Sequence, residues 1–215
     1  MGFIDGLNYA GIAVFAATGA LSASRKQLDI IGFFFLAIVT AVGGGTFRDM
    51  ILGDLPVFWV KEPAYILVCT GVGALLFFTA HLLESRYVWL LWLDAVGLSA
   101  YCVIGAQKGL DATGSPTVAV VTGVLTAAFG GVLRDLLAGE PSVLLRPEIY
   151  MTAALAGAAT FTLLDAVTLQ HTLSSGAGAA VAFLIRGGAL RYGWTLAGYR
   201  QRPGRHPDEI PGMRR

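Results

Sequence analysis

The chain alternates between long apolar stretches and short polar connectors. Apolar residues dominate 7–21, 30–52, 65–83, 88–106, 118–138, 150–164 and 173–190, seven runs in all. With flanking residues included, each approaches the roughly 20 residues that a helix needs to cross the hydrocarbon core. The runs are continuous, without the period-two alternation of barrel strands, and so predict helices. Connectors such as Ser24-Arg25-Lys26-Gln27 and Glu84-Ser85-Arg86 are too short for a second domain. The expected fold is an all-α membrane protein with seven transmembrane helices over residues 1–197. A flexible basic tail, 198–215, follows, with Pro203, Pro207 and Pro211.

Composition supports that class. Of 215 residues 55% are hydrophobic and 13% charged, where a soluble domain carries about 25% charged residues. Mean hydropathy is +0.68, and the 28 glycines suit membrane spans, where glycine is common. A net charge of +1 gives no basic field for nucleic acid. Cys69 and Cys102 lie inside apolar runs and make no disulfide framework. His81, His171 and His206 fall at a helix end, in a loop and in the tail, so neither a metal site nor a cofactor is expected. No Ser-His or His-Glu pairing sits at equal depth, which argues against an intramembrane enzyme.

Charge at the ends of the runs predicts orientation. Residues 1–5 lack the positive region of a signal peptide, so the first helix is expected to stay. Arg25, Lys26, Arg86, Arg146, Arg191 and the tail arginines lie on one side, against only Lys61 and Lys108 on the other. The positive-inside bias puts the N-terminus outside and the C-terminus in the cytoplasm, with the tail near anionic lipid. Tyr87, Trp89 and Trp92 are expected to anchor the fourth helix at the cytoplasmic interface.

An internal repeat carries more information than the runs. A shift of 86 residues aligns Gly11 with Gly97, Phe15 with Tyr101, Gly19 with Gly105, Gly45 with Gly131, Arg48 with Arg134, Asp49 with Asp135 and Gly53 with Gly139. After one residue of slippage, Pro56, Lys61 and Tyr65 meet Pro141, Arg146 and Tyr150. The first six helices are therefore expected as two three-helix units, about 5–86 and 88–170. Three is odd, so the second enters the membrane from the opposite side, an inverted 3+3 repeat. A seventh helix, about 173–191, is added.

The repeated core reads Gly43-Gly44-Gly45-Thr46-Phe47-Arg48-Asp49 in the second helix and Gly130-Gly131-Val132-Leu133-Arg134-Asp135 in the fifth. Glycine costs about 1 kcal/mol against alanine inside a helix, so each cluster predicts a kink or a short unwound segment. Close helix packing is the other reading of such glycines, in the small-xxx-small manner; Gly11, Ala17, Gly97 and Ala100 suit such contacts too. Repetition at equivalent depth, each time followed by Arg-Asp, favours a permeation pathway with freed carbonyls near the midplane.

Arginine and aspartate inside a span are expensive and need partners. Arg48 and Arg134 lie four residues from the ends of their runs, where snorkelling explains an arginine but not the adjacent aspartate. Neighbouring residues point apart on a helix, so Arg48 is not expected to satisfy Asp49. Asp94, in the fourth helix, lies at the depth of Arg134 and is its expected partner. The corresponding candidates for Arg48 are Asn8 and Asp5. Arg186 is expected to snorkel to the cytoplasmic interface.

The doubled Gly-Gly-x-x-Arg-Asp motif in a 3+3+1 layout resembles the prokaryotic branch of the trimeric intracellular cation channel (TRIC) family, over nearly the whole chain to about Arg191. The resemblance implies a homotrimer in a bacterial inner membrane. It also implies one potassium- and sodium-permeable pore per protomer, lined by glycine-kinked helices two and five. Gly43, Gly44, Gly45, Thr46, Arg48, Gly130, Gly131 and Arg134 would then lie at or beside the pore. Asp49, Asp135, Asp94, Asn8 and Asp5 would form the supporting charge network. Phe129, where the first unit has Gly43, is a departure that makes the second break tighter. The pattern is also similar to bacterial proteins described as a glycine transporter domain of two tandem units, so a carrier for small amino acids is the alternative. Each motif contributes one Arg and one Asp, and cation preference rests on the resemblance.

Overall fold

The computed structural model describes residues 3–143, 148–168 and 170–197, with all their side chains except those of 3–5 and 7. The tail, Arg146 and the side chain of Asp5 lie outside the described residues. Seven long helices are present among them: α1 (Phe3–Arg25), α2 (Ile30–Leu52), α4 (Ala64–Thr79, extended by a 3₁₀ turn Ala80–Leu82), α5 (Arg86–Thr113), α6 (Pro116–Leu137), α7 (Met151–Thr168) and α8 (His171–Tyr192). A single-turn helix, α3 (Phe58–Lys61), follows α2. Helices two, four, five and seven of the sequence reading are thus α2, α5, α6 and α8. Six of the long helices are sufficiently long and apolar to cross a membrane, and α1 is a further helix of 23 residues.

Local chemistry sets the helix ends. The Asp29 carboxylate caps α2 by accepting from Gly32 N at 2.8 Å, and Ser85 and Ser115 accept from Val88 N and Val118 N to cap α5 and α6, each satisfying an otherwise orphaned N–H. Pro116 opens α6, where its missing N–H costs nothing. Gly53 and Gly139, equivalent in the repeat, stand past α2 and α6 with φ of 70° and 62°, a left-handed turn that a side chain disfavours. Helix α5 runs seven residues beyond its apolar run, and this polar extension carries Lys108.

The helices pack as two like groups. Helix α1 packs on α2 and α4, and α2 on α4; α5 packs on α6 and α7, and α6 on α7. The groups join through α1 against α5 and α2 against α6, and α8 lies on α7 and α5. Gly11 faces the Tyr101 ring, and Gly97 faces the Phe15 ring, 3.0 Å from the place of a Cβ. Gly11, Gly97 and Ala100 therefore serve contacts within the chain. The rings of Phe15 and Tyr101 stack at 5.0 Å. Large apolar residues such as Val167 (81% exposed) and Leu67 (73%) point outward, as an acyl-chain environment allows. The face of the bundle where α1 begins is called near below, and the opposite face far.

Candidate functional site

The two glycine clusters meet where α2 crosses α6. A Cβ on Gly44 would stand 2.1 Å from the Thr126 carbonyl oxygen, and one on Gly130 would stand 2.4 Å from that of Thr40. Thr40 and Thr126 are themselves 86 residues apart, so the crossing is one contact made twice. Only glycine lets the two backbones approach this closely. Helices α2 and α6 run unbroken through the clusters, so the expected unwound segments are not found. The missing side chains are used for close approach of intact helices, which leaves each backbone hydrogen-bond ladder in place. With no break in either helix, the expected tighter second break at Phe129 has no counterpart: its ring stacks on Phe47 at 4.1 Å, while the equivalent place on the other side brings Leu133 against Gly43. Thr46 donates to its own helix and accepts from Trp59 Nε1 at 2.9 Å.

A buried Arg-Asp pair flanks the crossing on each face. Arg134, 1% exposed, donates to Asp94 Oδ1 at 2.7 Å from Nη1 and to Asp135 Oδ1 at 3.0 and 2.9 Å from Nε and Nη2. The pairing with Asp94 is the one argued from depth. Arg48, 3% exposed, instead turns back on Asp49, with Nε and Nη2 at 2.8 and 2.6 Å from Oδ1. The expectation that adjacent residues cannot pair was wrong. Cβ directions do diverge, but the arginine stem is long, and each aspartate bends toward the helix end to hold the following loop. Asp49 Oδ2 accepts from Phe58 N at 2.8 Å and Asp135 Oδ2 from Val143 N at 3.0 Å. Asn8, among the described residues, is not a partner of Arg48.

Two charge clusters close the ends reciprocally. On the near face Asp54, just past α2, pairs with Lys61 and with Lys108 of α5 at 3.5 Å, and Lys108 also lies 3.8 Å from Asp49. The hydrogen bond from Lys61 holds the Asp54 carboxyl below its ordinary value, with both lysine charges adding to the effect and burial opposing it. On the far face Glu140, just past α6, pairs with Arg25 of α1 at 3.0 Å and with Lys26 at 3.7 Å. Sequence reasoning had treated these cations as orientation signals only.

Arg186 does not snorkel. It is 1% exposed, bonded to Glu148 at 2.8 Å and to the Ile149 carbonyl at 3.3 Å, and stands 5.1 Å from the centre of the Tyr150 ring. Burial between α8 and the start of α7 gives it protein partners that hydropathy could not reveal. Tyr150, Glu148, Thr40 and Thr126 were missed as site residues; the alignment of Tyr65 with Tyr150 was the one available signal. Trp92 packs against Gly187, and Trp89 is 52% exposed near the start of α5. Among the described residues no three His, Cys, Asp or Glu gather as a metal site.

These features define a polytopic membrane protein built from two tandem units around a crossed helix pair. The family model described as glycine transporter matches twice, over residues 6–81 and 91–166. The UPF0126 inner membrane protein YadS of Escherichia coli is 41% identical over 193 residues, covering 86% of this chain and 91% of that one. The TRIC trimeric intracellular cation channel orthologue from Rhodobacter sphaeroides has a crystal structure with a TM-score of 0.88 and 54% identity, covering 90% of this chain and all of that one. A prokaryotic TRIC channel in 0.5 M KCl gives a TM-score of 0.84 at 30% identity, over 90% and 98% of the two chains. The chain belongs to this family of membrane proteins, shared with UPF0126 and TRIC.

Proposed function

We propose that the protein is a channel for monovalent cations, potassium and sodium, acting as a homotrimer in a bacterial inner membrane with a pathway between α2 and α6 of each protomer. The observation that carries the reading is the reciprocal glycine crossing with a buried Arg-Asp pair on either side. The crossing is shut, so conduction requires α2 and α6 to part. Parting would turn the Thr40 and Thr126 carbonyls, now pressed against glycine, toward a shared space, and carbonyl oxygens are what replaces a cation's hydration shell in a narrow pore. Gly43, Gly44, Gly45, Thr46, Gly130 and Gly131 then line the waist, with Arg48 and Arg134 guarding its two sides. The close likeness to TRIC cation channels supports the choice of cation. The two helix groups are read as units inserted in opposite senses with α8 added, the near face outside and the far face cytoplasmic.

Planar-bilayer recording of the purified protein tests the reading. Discrete unitary currents are expected in KCl and NaCl, with a reversal potential in a salt gradient that follows the cation. The family description favours one other outcome: saturable uptake and counterflow of glycine without unitary steps, which would replace the channel by a carrier.

A further inference from the structure

Asp54 and Glu140 hold equivalent places in the two units, each ten residues past the glycine that makes the crossing, Gly44 or Gly130. Each is fixed to its own helix. Asp54 N donates to the Asp49 carbonyl at 2.9 Å and Glu140 N to that of Asp135 at 2.8 Å, the bond that closes a helix end around a left-handed glycine. The two carboxylates therefore ride on α2 and α6, but each is paired with a cation of the other unit. Asp54, besides Lys61 of its own unit, meets Lys108 of α5 at 3.5 Å, and Glu140 meets Arg25 at the end of α1 at 3.0 Å. Both of these cations stand on one seam. Lys108 and Arg25 belong to α5 and α1, which pack on each other through the stacked rings of Phe15 and Tyr101, and Arg25 also lies over the Tyr87 ring of α5 at 4.7 Å. If α2 leaves α6 while α1 stays on α5, Asp54 is drawn from Lys108 and Glu140 from Arg25 together.

We propose that the Asp54–Lys108 and Glu140–Arg25 pairs are latches, one at each face, that hold the α2–α6 crossing shut; the inference rests on the channel reading and makes Asp54 and Glu140 positioning residues of its gate. The pairs join different units, so they oppose relative motion of the units. The Asp54–Lys61 pair, within one unit, does not. Partial exposure keeps each latch weak enough to break in normal operation. The far latch, with side chains 13% and 28% exposed, is the stronger, and the near one, at 42% and 37%, the weaker. Because one motion breaks both, their effects on the balance of open and shut forms multiply.

The test joins bilayer recording to a distance measurement that needs no conduction. Spin labels are placed on Met50→Cys of α2 and Val121→Cys of α6, both exposed, with the fully buried Cys69 and Cys102 left as they are. Asp54→Asn should raise the ratio of open to shut about twofold, Glu140→Gln about fivefold and the double variant about tenfold. The labelled double variant should gain a longer distance in pulsed electron resonance. Lys61→Gln should leave both readouts near wild type. Arg25→Glu and Glu140→Arg should each raise the open fraction, and the two combined should restore it. An unchanged open fraction in Glu140→Gln, a Lys61→Gln effect equal to that of Asp54→Asn, or no recovery in the exchanged pair would each overturn the latches. Should the double variant fail to fold, the single variants and the exchange still decide. Unitary currents with open fraction and distance both unchanged would sink the latches and leave the channel standing. A longer distance without unitary currents in any variant would keep the latches as locks on the crossing and sink the channel.

Discussion

Replacing Gly44 by alanine places a methyl group 2.1 Å from the Thr126 carbonyl oxygen. Ordinary contact begins near 3.4 Å, and the obstructing atom is backbone, which no rotamer change removes. Helices α2 and α6 must therefore move apart by about 1 Å. Overpacking of this kind costs about 1–3 kcal/mol, and a rigid obstacle puts it at the upper end. The better helix propensity of alanine returns up to about 1 kcal/mol. The net expectation is a loss of about 2 kcal/mol, read as a fall in Tm of about 4–8 °C. A crossing held apart also fails to shut, so assembled Gly44→Ala protein should show a raised open probability in bilayers. Gly71→Ala is the control, because nothing lies within 4 Å of its Cβ position. Gly43→Ala should be milder than Gly44→Ala, since its obstacle is the movable Leu133 side chain. If Gly44→Ala matches wild type in both Tm and open probability, the crossing is not the gate and the glycines have another purpose.

Three further outcomes follow from the charges. Arg186→Ala should destabilise by about 3–5 kcal/mol, the cost of breaking a buried pair, where a snorkelling arginine would change Tm hardly at all. The depressed Asp54 carboxyl contributes stability that is full above the ordinary aspartate value, about 3.9, and is lost as pH falls through its lower folded value. Asp54→Asn should remove that part of the acid sensitivity in a pH series of Tm, by a small amount because the pair is nearly half exposed. Reporter fusions at Gly2 and Arg215 should appear on opposite sides of the membrane, and reporters on one side would exclude seven spans.

Much of the arrangement was legible because it is local or repeated. Spans of about 20 apolar residues declare themselves one at a time, and the 86-residue shift exposed the doubled motif without any knowledge of packing. Even the bond from Arg134 to Asp94, 40 residues apart, could be argued, because hydropathy places both residues at a depth along their helices. Depth is one coordinate, and the rest was decided in the other two dimensions. Whether Arg48 turns to Asn8 or back to Asp49 depends on side-chain reach and on what the aspartate does for the next loop. Arg186 finds Glu148 in a connector, where hydropathy assigns no depth at all. Three glycines are equally compatible with a broken helix and with two intact helices in close contact. Only the position of the opposing backbone, the Thr126 carbonyl against Gly44 and that of Thr40 against Gly130, separates those possibilities, because the favourable contact belongs to the pair of helices and to neither sequence segment alone.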